Sequence, residues 1–221
     1  MNEQIVILDF GSQYTQVIAR RIRECKVYST IIHYNTPADV IAEMNPSGII
    51  LSGGPSSVYA KDAPLPDRAI FNLGVPVLGI CFGLQLMAKF LNGKVERGQK
   101  REYGKGTLRV KNARCRLFDG LPKELQVWNS HGDKLTGLPD GFKVVATTEN
   151  SGFAAIENAK ARFYGLQFHP EVVHTPKGKK IISNFVHKIC GCGRKWTMRY
   201  PSSSRAQSIR PRTKASPASI W

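Results

Sequence analysis

The 221-residue sequence has no run of 18 consecutive apolar residues, so nothing in it reads as a membrane span. Its start, MNEQIVILDF, has no basic segment ahead of the apolar run, so a secretory leader is not expected either. The cysteines are few and odd in number (Cys25, Cys81, Cys115, Cys190 and Cys192), and their spacing fits no disulfide framework. Together these absences point to a cytoplasmic chain with at least one thiol free for chemistry. Acidic residues are missing after Glu171, and no repeat of solenoid period is present. The net charge of +16 is therefore uneven: residues 1–187 carry 24 Lys and Arg against all 16 acids, while residues 188–221 carry the other eight cations and no acid. Half of the excess lies on a tail. Nucleic-acid binding is thus a weak reading, since no aromatic platform or recognised module accompanies the charge. With 42% apolar and 22% charged residues, wholesale disorder is excluded.

What is present is alternation. Apolar, β-rich runs at 4–10, 27–34, 48–54 and 75–81 alternate with helical patterns at 12–25, 37–44, 67–74 and 82–93, Pro37 opening the second and Gly93 closing the last. The expected fold is an α/β domain: an open, mostly parallel twisted sheet of flavodoxin-like type with helices on both faces. Beyond residue 95 the rhythm shifts to short strand-like pieces at 106–111, 142–149, 153–158 and 162–168, a β-rich C-terminal edge, and a last helix follows at 176–190. The cation-rich run 97–106 reads as a solvated loop.

The segment VPVLGICFGLQ is the most informative, because a strand, a Gly-x-Cys-x-Gly and an immediate helix form a nucleophile-elbow pattern. Gly79 and Gly83 allow close backbone approach around Cys81, and a helix N-terminus behind the sulfur favours thiolate. On spacing alone, a buried structural cysteine among turn glycines fits equally well. A nucleophile needs a base and the base an orienter, and His169 and Glu171, flanking Pro170 after a strand-like run, can supply both. The paired glycines of LSGGPSS end another strand at the same sheet edge, so the N–H of Gly54 with that of Phe82 could form an oxyanion hole. Cys190-Gly-Cys192 lacks a second Cys/His pair at zinc spacing, so no metal site is expected. His33, His174 and His187 read as surface or satisfied residues.

In this order and spacing DFGSQY, SGGP, GICFGLQ, WNSHGD and QFHPEV resemble the class I glutamine amidotransferase domain of the GMP synthase family. The resemblance implies Cys81 as nucleophile, His169 as base and Glu171 as its partner. It also implies that Gln85 and the stretch Ser130, His131, Gly132 and Asp133 help to hold L-glutamine, whose side-chain amide is hydrolysed without a cofactor. Family members join this domain to an ATP-pyrophosphatase (synthetase) domain, which uses ATP and Mg²⁺ to aminate XMP, and to a dimerisation domain. The phosphate-binding Ser-Gly-Gly-Val-Asp type of loop that marks the synthetase domain is absent from this sequence. Asn129 stands where the family pattern commonly has Met. A glutaminase component of another synthase, such as an anthranilate synthase, is the competing reading, and the DFGSQY start disfavours it.

The resemblance covers about residues 3–197, and the domain is placed at 1–197. The remaining 198–221 are Ser-, Pro- and Arg-rich, lack periodicity, and are expected to be an irregular tail of the kind a frameshift or truncation would leave.

Overall fold

Residues 5–8 are apolar at every position, the pattern of a strand covered on both faces. The computed structural model describes residues 3–197, apart from the side chains of 99–101, so the expectation for the 198–221 tail lies outside the described residues. In it β1 (Gln4–Asp9) buries Ile5 and Ile7 in one apolar layer and Val6 and Leu8 in another. The strands that follow are β2 (Tyr28–His33), β3 (Gly48–Leu51), β4 (Val77–Ile80), β5 (Lys94–Val110), β6 (Glu124–Gly137), β7 (Lys143–Thr147), β8 (Ala155–Asn158) and β9 (Phe163–Leu166). They make one nine-stranded sheet of order β2-β1-β3-β4-β9-β8-β7-β5-β6. Pairing is parallel from β2 to β9 and antiparallel from β9 outward, so the sheet is mixed, with the expected parallel part forming one half.

Helices cover both faces as the alternation requires. On one side α1 (Thr15–Glu24) and α4 (Gly178–Ser183) pack Ile18, Ile22, Ile181 and Ile182 against Ile5, Ile7, Ile50 and Leu78. On the other, α2 (Ala38–Glu43) and α3 (Phe82–Phe90) pack Ile41, Leu84 and Met87 against Val6, Leu8, Ile49 and Leu51. The helix expected over 67–74 is only a 3₁₀ turn, Arg68–Asn72, and the Asp67 carboxylate that caps it also accepts the Ala38 N–H at the start of α2. The helix expected at 176–190 starts as α4 and widens to a π-helix over Asn184–Ile189, where the buried Asn184 amide donates to Leu117 O and Asp119 O. At the end of α3 the left-handed residue is Asn92, and Gly93 N–H donates to Ala88 O.

Two further expectations need correcting. The run 97–106 is part of the 17-residue β5, and residues 124–137, in which no strand was expected, form β6. The two pair as a long antiparallel ribbon. Charge concealed the first, because a strand near the sheet's outer end tolerates cations on its solvent side. Polar inward residues concealed the second: Leu125, Val127 and Leu135 alternate as a strand should, but Asn129 and His131 occupy buried positions between them.

The turn from β4 into α3 is possible only with glycine on both sides of it. A Cβ on Gly79 would lie 2.6 Å from the backbone of Gly83, and a Cβ on Gly83 would lie 2.3 Å from Leu51 O. Since the obstructing atoms are backbone, Gly83→Ala should cost about 2 kcal/mol or more, which lowers a chain of this size by about 4–8 °C in thermal unfolding. Gly152→Ala, with nothing within 4 Å of the added carbon, should stay within about 0.5 kcal/mol. Equal midpoints for the two variants would refute the packing argument.

Candidate active site

Strand β4 delivers the chain to Cys81, which adopts φ 51° and ψ −104° before α3 begins. That conformation is unfavourable for a residue with a Cβ, so the surroundings must hold it. Cys81 N–H donates to Leu166 O at 2.7 Å, tying the turn to the end of β9, and Cys81 O accepts Gln85 N–H at 3.2 Å as the first turn of α3 closes. The sulfur lies 3.7 Å from Ser130 O and 4.0 Å from the Gln167 amide nitrogen. The start of α3 adds the partial positive charge of a helix N-terminus.

The other half of the pattern arrives on the neighbouring strand. Past the end of β9, His169 N–H donates to Trp128 O at 3.0 Å. The Thr175 hydroxyl donates to His169 O at 2.7 Å and accepts Trp128 N–H at 3.0 Å, clamping the segment to β6. His169 Nδ1 lies 2.7 Å from Glu171 Oε1, and as a carboxylate only accepts, Nδ1 carries the proton and Nε2 is left to face the thiol. Both side chains are buried, Glu171 completely. Burial alone would lower the His169 pKa, but the Glu171 charge and the hydrogen bonds between the imidazole and Cys81 and Glu171 outweigh it and hold the imidazole well above its ordinary value. The Tyr14 ring meets the imidazole edge-on, with centroids 5.2 Å apart.

Cys81 and His169 open onto a cavity of about 800 Å³ whose wall also includes Gly54, Phe82, Gln85 and residues 130–133. The residues expected as catalytic, oxyanion-hole and substrate-holding groups therefore all lie at this one cavity except Glu171, which sits behind the imidazole. Gln85 donates its amide to Asp133 O at 2.9 Å, fastening α3 to the Ser130–Asp133 wall. Phe82 is the first residue of α3, where an N–H has no acceptor within the helix. Burial pushes the thiols of Cys25, Cys190 and Cys192 up, and that of Cys115 up to about 12, which disfavours thiolate at all four.

The structure adds residues that the motifs did not single out. Tyr14 and Gln167 stand within quoted motifs, but nothing in their spacing marks a contact with the imidazole or the sulfur. Thr175 and Glu102 lie outside all five motifs; both act across strands, through a clamp on His169 and a 3.0 Å hydrogen bond to His131 Nε2.

Against known proteins, the glutamine amidotransferase class-I family profile matches residues 6–189. The chain is 53% identical over 194 residues to the GMP synthase [glutamine-hydrolyzing] of Aquifex aeolicus, covering 88% of this chain and 38% of that protein. It is 50% identical over 210 residues to the enzyme of the same name from Staphylococcus aureus strain JH9, covering 95% and 40%. The chain thus spans about two fifths of the length of these curated relatives. A solved Thermoplasma acidophilum protein, provisionally assigned to GMP synthase as one of its subunits, superposes with a TM-score of 0.78 at 30% identity, covering 86% of this chain and 95% of that one. A Thermotoga maritima glutamine amidotransferase superposes with a TM-score of 0.69 at 20% identity, covering 87% and 100%, a likeness of fold.

The raised His169 pKa makes the pair visible in stability. A group whose folded pKa exceeds its unfolded value contributes fully below the unfolded value, about 6.5 for histidine, and loses that contribution as pH rises through the folded value. The stability gap between the native chain and Glu171→Gln should therefore be widest in mildly acidic buffer and narrow as pH rises above neutrality. Denaturant titrations across that range measure it, and a gap that widens with pH would contradict the assignment.

Proposed function

The chain belongs to the class I glutamine amidotransferase family, and from that membership we propose that it performs the glutaminase half of GMP synthesis, releasing ammonia from L-glutamine for the amination of XMP by a synthetase domain outside this chain. The observation that carries the reading is Cys81, held at positive φ in the wall of the cavity with the His169 imidazole against its thiol and Glu171 behind that imidazole.

The steps follow from the chemistry of these groups. The imidazole takes the thiol proton, and the thiolate attacks the amide carbon of glutamine, placing negative charge on the carbonyl oxygen. The N–H groups of Gly54 and Phe82 receive that oxyanion. His169 then gives its proton to the nitrogen, the C–N bond breaks and ammonia leaves, with a glutamyl thioester on Cys81. His169 next takes a proton from water, whose attack on the thioester releases glutamate and restores the thiolate. Glu171 keeps the imidazole oriented and stabilises its charged form. Gln85 and residues 130–133 hold the substrate. The half-reaction uses only this chain's own groups and water, whereas ATP and Mg²⁺ serve the synthetase, which acts as the chain's partner. Among the described residues no helix is long and apolar enough to cross a membrane, and we place the work in the cytoplasm.

Cys81→Ala should bring glutamate release to background with the fold intact, and a glutamine-mimicking alkylator should label Cys81 alone. A label mapped to Cys25, Cys115, Cys190 or Cys192 would overturn the mechanism. His169→Ala should cut turnover by roughly 10²–10⁴-fold, and Glu171→Ala by less, because the carboxylate orients the imidazole while the imidazole moves the proton; full activity in His169→Ala would exclude it as the base.

Hydrolysis without an acceptor wastes glutamine, so basal activity should be weak and should rise when a nucleotide-loaded GMP synthase synthetase domain is added. An unchanged rate would count against coupling between the two.

A further inference from the structure

The ribbon of β5 and β6 contains two register shifts, one between Lys94 and Val95 and a larger one between Arg97 and Glu102, which lies beside the cavity. Arg97 pairs with Asp133, yet Glu102 pairs with His131, so four residues of β5 (98–101) pass opposite the single residue Gly132. In an unbroken ladder position 99 would face His131. The three extra residues are an odd number, and with side chains alternating between faces they reverse the side on which Glu102 emerges. The bulge thereby brings an acid from a cation-rich stretch to the buried side of the ribbon, where Glu102 is 8% exposed and His131 6%.

Both oxygens of that carboxylate are engaged. Oε2 lies 3.0 Å from His131 Nε2, and Oε1 accepts the Thr148 hydroxyl at 3.3 Å. The hydrogen bond from His131 outweighs burial and holds the Glu102 carboxyl below the usual range, so the group is an anion that only accepts. His131 Nε2 must then carry the proton, and in the neutral ring Nδ1 is left as an acceptor. His131 belongs to the cavity wall, as does Asp133 two residues on. A buried carboxylate carries a desolvation penalty, and an apolar side chain would pack there more favourably.

We propose that Glu102 is a positioning residue for glutamine recognition: it fixes His131 in the Nε2–H form so that Nδ1 accepts a hydrogen bond from the substrate's α-ammonium. This rests on the glutaminase reading and deepens it. Glu102 touches no reacting atom, so it governs which amide-bearing molecule is held and leaves the chemical step to Cys81 and His169.

The test compares L-glutamine with 4-carbamoylbutanoate, the same side-chain amide without the α-ammonium, in steady-state hydrolysis by the full chain. Glu102→Gln should raise KM for L-glutamine about tenfold, as loss of a charge-assisted contact does, with kcat changed less than about twofold and the deamino analogue hydrolysed as by the native chain. Glu102→Asp, which keeps the charge but shortens the reach, should show the same selective rise, and serves if Glu102→Gln does not fold. In a His131→Ala background, Glu102→Gln should add nothing. Equal losses on the two substrates, a fall in kcat alone, or a further loss without His131 would overturn the assignment. Native turnover that Cys81→Ala abolishes secures the glutaminase reading separately. If the native chain leaves glutamine intact, that reading falls and takes this one with it. If it turns glutamine over and Glu102→Gln behaves as native, only the positioning role falls.

Discussion

The turn at Cys81 is the constraint on which the rest of the site depends. A side chain at φ 51° is unfavourable in a free peptide and persists only where its neighbours leave no alternative. Here the neighbours are β9, which accepts the Cys81 N–H through Leu166 O, and α3, whose first turn begins at Cys81 O. Strand and helix can both reach the turn only because Gly79 and Gly83 have no side chains. The parallel half of the sheet is thus organised around presenting one sulfur at its carboxyl edge and at the start of a helix. Glycine in the middle of a strand and in the first turn of a helix costs local stability, which this geometry makes unavoidable.

A presented thiol becomes a nucleophile only beside a base, and the base proposed here, His169, comes from the strand next to it. β4 and β9 are parallel neighbours, so their carboxyl ends open on the same edge and Cys81 and His169 meet without a long loop. The orientation of His169 is shared between a carboxylate behind it and the Thr175 clamp, which joins it to Trp128 on β6. Because β6 also carries residues 130–133, the strand that forms the substrate wall is hydrogen-bonded to the backbone of the base. Displacement of that outer ribbon would disturb binding and proton transfer together. This is a physical route by which a partner pressing on the antiparallel half could alter turnover.

Much of this was legible in the sequence because the motifs are local. The Gly-x-Cys-x-Gly elbow and His169-Pro170-Glu171 each place chemistry within a few residues, and the alternation of apolar runs fixes the order of β1 to β4 and of their helices. Long-range pairing was not legible. Leu125 and Val127 alternate as a strand should, yet Asn129 and His131 continue the inward face with polar groups, because that face borders a cavity and a buried carboxylate in place of an apolar core. Glu102 was hidden more deeply, since it stands among Arg97, Lys100, Arg101 and Lys105, where charge suggests solvent. Only the odd-numbered bulge turns it inward, and a bulge leaves no periodicity to read. Thr175 likewise acts through two backbone groups far from it in sequence.

The two halves of the sheet consequently divide the work. The parallel half, with β1, β3, β4 and β9 buried on both faces and helices on either side, supplies rigidity, and Cys81 and His169 are mounted at its edge. The antiparallel half is a ribbon that can carry polar residues inward where it borders the cavity, and it shapes what enters. Under the proposed positioning role, selection of glutamine depends on β5 and β6 keeping their offset register, since a slip of one residue would turn Glu102 away from His131 and leave a carboxylate buried without its partner. That penalty holds the register, so the group proposed to orient His131 also keeps the ribbon from sliding.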